Sequence, residues 1–332
     1  MNRRSALGLA AAALPTLGAA RAARAQSIRR PAVVNGRRYL QYDVFTDRPL
    51  AGNQLAVFLE TSGLSAAEMQ AMTRETRFSE CTFVQPAEQP GTDIRLRIFG
   101  PANEMQFAGH PVIGSAFALA DDGVIKAGQK QFTFGLGIGP TLVELEWQGD
   151  RLQFAWMTQQ KPVFGPTLDA PGPLSAALGL EASAIRPGVL PQEVNCGSAF
   201  FMVPLVSRAA VDQAVVDPRA VGAVFEAAKL QRRGLFIFST EPGADGATAY
   251  SRMMGANEDP ATGSASGPLG CYLVKHGLVP AEKAGSIVSA QGVKMGRPSR
   301  IHIKIDLSGT EITRVRVGGT SVLVGEGRLR SS

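Results

Sequence analysis

Gly109-His110-Pro111-Val112-Ile113-Gly114-Ser115 and Asp259-Pro260-Ala261-Thr262-Gly263-Ser264-Ala265 are two turns of the same kind, each leading into an apolar run. The runs, from Pro111 to Leu119 and from Ala261 to Lys275, fit helices that are apolar all round and so must be buried. Similar text precedes both turns: Arg97-Ile98-Phe99-Gly100-Pro101-Ala102-Asn103-Glu104 and Arg252-Met253-Met254-Gly255-Ala256-Asn257-Glu258. A turn that empties into a helix leaves first-turn N–H groups unpaired, with the positive end of the helix dipole behind them. Such a place suits a carboxylate or phosphate. Two of them in one chain imply a duplicated domain with the ligand held between the halves.

The flanking sequence supplies the rest of each half. Tyr39–Phe45, Leu55–Leu59, Cys81–Val84 and Ile94–Phe99 read as strands, and Ser65-Ala66-Ala67-Glu68 as the capping box of a helix reaching Thr76. Phe132–Phe134, Leu142–Trp147 and Leu152–Trp156 read as a short meander, with the glycine-rich Gly135–Gly139 as a loop because no helix follows it. Pro162 to Pro173 is the best interdomain linker. Beyond it, Val194–Val206, Gly234–Ser239, Ala247–Met254, Ser286–Ala290, Ser299–Ile305, Thr313–Val317 and Ser321–Val324 carry strand patterns. Arg208–Leu230 is helical with a break at Pro218. The expected class is α+β: two similar domains, each a mostly antiparallel barrel around one central helix. They span residues 38–160 and 161–328, with the final strand free to return to the first domain.

Composition agrees with a folded chain of two domains: 332 residues, 45% hydrophobic and 19% charged. The first 25 residues read separately. Asn2-Arg3-Arg4-Ser5, an alanine-rich run to Ala20 and Ala23-Arg24-Ala25 have the order of an exported leader of the twin-arginine type, cleaved after Ala25. The run is too weakly apolar to be a membrane anchor. The expectation is a periplasmic or otherwise exported protein, cytoplasmic if the leader is not used. The leader takes four arginines and no acid from a net charge of +6, leaving +2. No basic run with interleaved aromatics suggests nucleic acid. Cys81, Cys196 and Cys271 are too sparse for a disulfide framework, although one pair could close in an oxidising compartment. With only His110, His276 and His302 and no His/Cys cluster, no metal is expected.

Four segments then stand together: Tyr42-Asp43-Val44-Phe45 with Gly52-Asn53, Phe78-Ser79-Glu80-Cys81-Thr82-Phe83, Phe107-Ala108-Gly109-His110-Pro111, and Asp259 to Ala265. Their order and spacing resemble the phenazine-biosynthesis isomerase (PhzF-like) family, over roughly residues 38–328. The resemblance implies the diaminopimelate epimerase-like fold, a cofactor-free isomerase acting on a small carboxylic acid, and a homodimer. It makes Glu80 the acid/base and puts His110 and Asp259 beside the substrate.

The residues themselves allow a plainer account of each. Glu80 could be a surface carboxylate at a strand end, His110 a helix-capping residue and Asp259 a cap of the second helix. Between Phe78 and Phe83, however, burial among aromatics would raise the Glu80 pKa and fit it to exchange protons near neutrality. Gly263 and Ser264 are expected to hold the substrate carboxylate. Gly109 and Gly114 are expected to let the facing loop approach, and Asn53 either lines the pocket or is only a turn residue. Neither helix-start loop holds a cysteine, which argues against a two-thiol racemase. An epimerase with another second base, and a protein that binds a small carboxylate without converting it, are the alternatives.

Overall fold

The computed structural model describes residues 36–255 and 258–330. The leader expectation for residues 1–25 lies outside these residues. The first run of strands is β1 (Arg37–Val44), β2 (Asn53–Phe58), β3 (Glu80–Pro86), β4 (Ile94–Phe99), β5 (Glu104–Met105), β6 (Gln131–Leu136), β7 (Gly139–Gln148) and β8 (Arg151–Gln159). The second is β9 (Val163–Thr167), β10 (Gln192–Asn195), β11 (Ala199–Pro204), β12 (Gly234–Ser239), β13 (Ala249–Met254), β14 (Ile287–Gln291), β15 (Ser299–Ser308), β16 (Glu311–Gly319) and β17 (Ser321–Leu329). The helices are α1 (Ala66–Thr76), α2 (Gly109–Asp121), α3 (Pro171–Ala177), α4 (Arg208–Gln213), α5 (Pro218–Ala227) and α6 (Gly263–Lys275).

The two runs repeat one topology. A parallel pair (β2 with β3), an antiparallel pair (β3 with β4) and a second parallel pair (β4 with β6) have counterparts in β11–β12, β12–β13 and β13–β14. The remaining neighbours are antiparallel, and the strands curl around the buried helices. α2 packs on β1, β2, β3 and β8, while α6 packs on β10, β11, β15 and β16. Both helices are 13 residues long and bury nearly every side chain. Their apolar content explains this, since such a helix is stable only with sheet on all sides. The text before each helix is duplicated in structure too. Arg97 makes a forked pair with Glu104 at 2.8 and 2.6 Å, and Arg252 makes the same fork with Glu258 at 2.8 and 2.7 Å.

The expected boundary near residue 160 falls between β8 and β9, but the strands pair across it. β8 lies antiparallel to β16, and β17 runs back along the whole of β1. The Pro162–Pro173 stretch, expected as a linker, contains β9, which pairs with β10. Only Pro166 of its prolines lies in β9, and among the described residues the residue-by-residue pairing of β9 is with β10, an arrangement in which a missing N–H is tolerated. The second buried helix starts at Gly263 rather than Ala261.

Candidate active site

α2 and α6 meet at their N-termini. A Cβ on Gly109 would lie 2.4 Å from the Ser264 nitrogen and 2.5 Å from the Gly263 Cα. Only glycine permits this backbone contact. Gly263 is held as tightly, since a Cβ there would sit 2.8 Å from the ring of Phe45 and 3.1 Å from the Gly109 Cα. Phe45 is fully buried and adopts a left-handed backbone (φ 64°), which aims its ring at this junction. Among the described residues neither N-cap, Ala108 nor Thr262, supplies a side chain to the first-turn N–H groups. Two uncapped helix ends therefore face one spot, with half-buried Ser264 beside them.

Gly114, expected at the same junction, is elsewhere. A Cβ there would meet Leu55 and Val44 at 2.6–2.7 Å, so this glycine seats α2 against β1 and β2. Its place one turn further along the helix takes it out of reach of the facing loop.

The side chains expected at the site come together. Asn53, at the start of β2 and buried, donates its amide to Asp259 Oδ1 at 2.6 Å and to the Ala261 carbonyl at 3.0 Å. The same nitrogen lies 3.1 Å from His110 Nδ1. His110 Nε2 in turn lies 3.3 Å from Glu80 Oε2. These last two atoms are not aligned as a hydrogen bond and, among the described residues, have no other partner. An unpaired polar atom in a buried place is costly, and here two of them face each other.

Burial sets the charges. It lifts the Glu80 carboxyl to about 8, with the nearby negative charge of Asp259 adding to the rise and a hydrogen bond from Ser79 opposing it. It lifts Asp259 to about 6 against hydrogen bonds from Thr262, Asn53 and the Ala261 backbone. It pushes the His110 imidazole down to about 3, so the ring is neutral at working pH. Burial raises both carboxyls, and the negative charge of Asp259 disfavours a second one on Glu80, so a proton is retained within the cluster more readily than on either acid in water.

The source of the Glu80 burial differs from the expectation. Phe83 stacks on Phe58 at 4.7 Å and edges Phe99 at 5.5 Å, in a cluster with Cys81 and α1. Successive strand residues alternate faces, so Phe83 and Cys81 lie on the side of β3 away from Glu80. Phe78 packs on that same cluster. Glu80 shares its face with Thr82, whose hydroxyl meets Ser115 of α2 at 2.9 Å. The helix and the second-half loop bury Glu80, not the aromatics. Cys81 points away as alternation requires, its hydroxyl partner being Thr76 at 3.1 Å.

Asp259 is not a helix cap. Its Oδ2 accepts from the Thr262 hydroxyl at 2.6 Å, before the helix begins. Three residues that the sequence did not single out fix its position. Ser79 donates to Asn53 Oδ1 at 2.9 Å. Gln291, fully buried on β14, donates to the Asp259 carbonyl at 2.8 Å and accepts from the Thr262 N–H at 2.9 Å. Gln159, at the end of β8, donates to the Gly263 carbonyl at 2.9 Å. Thr262 and Ser79 stand inside the quoted motifs, whereas nothing in the sequence ties Gln159 or Gln291 to a turn so far along the chain.

Known proteins match this chain over most of its length. The model of a family described as phenazine biosynthesis-like protein (PhzC-PhzF) matches residues 42–327. A trans-2,3-dihydro-3-hydroxyanthranilate isomerase of Pseudomonas aeruginosa is 35% identical over 292 residues, covering 88% of this chain and 98% of that protein. The structure of a predicted epimerase from Pseudomonas aeruginosa superposes with a TM-score of 0.74 at 33% identity, over 89% of this chain and all of the other. A phenazine biosynthesis protein of Bacillus anthracis superposes with a TM-score of 0.77 at 23% identity, over 89% of this chain and 99% of that one, and is similar in fold.

Proposed function

The chain belongs to the phenazine biosynthesis-like PhzC/PhzF family of isomerases, and from that premise we propose that Glu80 moves a proton on a carbon acid whose carboxylate rests on the N-termini of α2 and α6. The facing pair of unpartnered atoms, Glu80 Oε2 and His110 Nε2, carries this reading. A substrate hydroxyl or amine that approaches both atoms from one side, bridging them, would satisfy both, with the neutral imidazole as a hydrogen-bonding group and the carboxyl as the proton carrier. Dipoles at the two helix ends favour the negative charge that develops when the carbon is deprotonated. Burial keeps the Glu80 pKa near the working range, where a carboxyl both takes and gives a proton. No cofactor is called on for such a transfer.

The substrate class is a small carboxylic acid bearing a hydroxyl or amine, and the resemblance to an isomerase of a cyclic hydroxy amino acid makes a ring the first choice. Export by the twin-arginine route rests on the leader sequence, and a homodimer on the family resemblance.

Epimerisation is the second reading. Glu80 and Asp259 are two buried acids contributed by opposite halves of the duplication, an arrangement suited to bases on opposite faces of one carbon.

Proton exchange followed by NMR in D2O, over a panel of small hydroxy and amino acids including dihydro-hydroxyanthranilate, tests both. Migration of deuterium between carbons supports isomerisation, and washout at one centre without migration supports epimerisation. Glu80→Gln is expected to lower either rate about 10³-fold. Exchange that survives Glu80→Gln overturns Glu80 as the base, and saturable binding without exchange leaves a carboxylate-binding protein.

A further inference from the structure

Cys196 and Cys271 are far apart in sequence and serve nothing in the mechanism above. Their sulfurs lie 3.9 Å apart, although the residues are 75 positions apart in the chain. Both are fully buried. Cys196 immediately follows β10, and Cys271 lies within α6, facing it. Cys81 is excluded from any such pairing. It lies in a different cluster, beside α1, with its sulfur on Thr76. Of the three possible pairs, the fold therefore brings together one.

We propose that Cys196 and Cys271 form a reversible disulfide, a cross-link that pins α6 to the β10–β11 turn. The sulfurs need about 2 Å of further approach to reach bonding distance. The bond forms by exchange with a small disulfide or a thiol–disulfide oxidoreductase. One cysteine attacks as thiolate and opens the oxidant's S–S bond. The second then attacks the first cysteine's sulfur in the mixed disulfide, forming the Cys196–Cys271 bond as the oxidant's second sulfur leaves as a thiol. The protein loses two protons and two electrons, and the oxidant leaves as two thiols.

The surroundings give the link a consequence and a time of formation. Gly197 follows Cys196 in a left-handed conformation (φ 118°) and packs under the ring of Phe107, which a Cβ would approach to 3.3 Å. The Cys196 carbonyl accepts from the Gln160 N–H at 3.3 Å, just beyond β8. The turn thus touches the segment that leads into α2, while Cys271 belongs to the helix whose first residues meet Gly109. The disulfide would brace both helices behind the site. The hydrogen bond with Cys196 and burial hold the Cys271 thiol well above its ordinary value, so the native pair resists attack and closure belongs to folding or transient opening.

The test uses full-length reduced protein in two arms: held native, and refolded from denaturant, each across graded ratios of oxidised to reduced glutathione. Free thiols are then blocked and peptides mapped without reduction. The refolded arm is expected to yield one linked peptide joining Cys196 to Cys271, lighter by two hydrogens, with Cys81 free. The native arm should reach the same product more slowly. The linked protein should unfold roughly 5 °C or more higher than the reduced form, because a long loop is closed in the unfolded chain. Cys81→Ala should keep the link, and Cys271→Ala should leave Cys196 free. Three free thiols in protein refolded at the most oxidising ratio, a link that includes Cys81, or glutathione held on Cys196 with Cys271 free would each overturn the proposal.

Discussion

Glu80 sits where its charge is unwelcome, and that can be measured without a substrate. Its folded pKa of about 8 stands above its ordinary 4.5, so the folded state holds a proton that the unfolded chain releases. The stability tied to this proton is complete below about pH 4.5 and is lost as pH rises through 8. Asp259, raised from 3.8 to about 6, acts in the same direction over its lower window. His110 acts oppositely. Its folded value near 3 lies below its ordinary 6.5, so its cost appears as pH falls through that interval. Glu80→Gln keeps the shape and removes the charge. It is expected to be more stable than wild type at pH 9 by on the order of 2 kcal/mol and nearly equal at pH 5. Urea unfolding at the two pH values checks this, and a loss of stability at both would mean that the carboxylate is held by favourable contacts. In the wild type, kcat/KM should rise with pH up to about 8 if Glu80 acts as base. A profile that falls across this range would make the protonated carboxyl the working form.

At the scale of elements, the site is the contact of two helix ends, and glycine is what allows it. Gly109→Ala drives a methyl into the backbone of Gly263 and Ser264, neither of which can yield without moving α6. The expected cost is about 1–3 kcal/mol, with exchange activity lost beyond that cost, because the two N-termini part. Gly172→Ala, at a glycine with open space around it, should change neither by more than about 0.5 kcal/mol. Equal behaviour of the two variants in thermal melts and exchange assays would remove the helix junction from the mechanism. The same elements divide what the sequence discloses from what it does not. Both apolar helices, their glycine starts and the duplicated Arg–Glu text are local, so they were legible. Asn53, His110, Glu80 and Asp259 were legible because each stands in a motif. The face of β3 on which Phe83 lies was not, since alternation separates Glu80 from Phe83 but does not say which side meets α2. Gln291 and Gln159 were invisible because their role depends on strand pairings made far along the chain.

For the molecule as a whole, the decisive contacts are those that stitch the second run of strands to the first. The Arg297 guanidinium reaches back 254 positions to Asp43 Oδ1 at 2.6 Å, and also donates to the carbonyls of Ala51 and Gly52 at 2.7 and 2.8 Å. Asp43 is 1% exposed, and its other oxygen accepts from the Leu50 N–H at 2.7 Å. Around this fork, Gly52 N–H donates to the Pro298 carbonyl and Arg300 N–H to that of Phe45. The clamp therefore fixes the loop that ends at Asn53, the residue joining His110 to Asp259. Arg297→Met should cost about 3 kcal/mol or more, because it leaves a buried carboxylate without its cation. Arg297→Lys should recover only part of that, since a point charge cannot serve three acceptors in a fixed plane. Adding Asp43→Asn to Arg297→Met removes the orphaned charge, so the double variant should be more stable than Arg297→Met alone. Its exchange activity should still be low, because the carbonyls of Ala51 and Gly52 remain unclamped and Asn53 is no longer held. Urea unfolding and NMR exchange on the same four proteins separate these effects. If stability and activity returned together in the double variant, the clamp would be acting only through the buried charge and not through the position of Asn53.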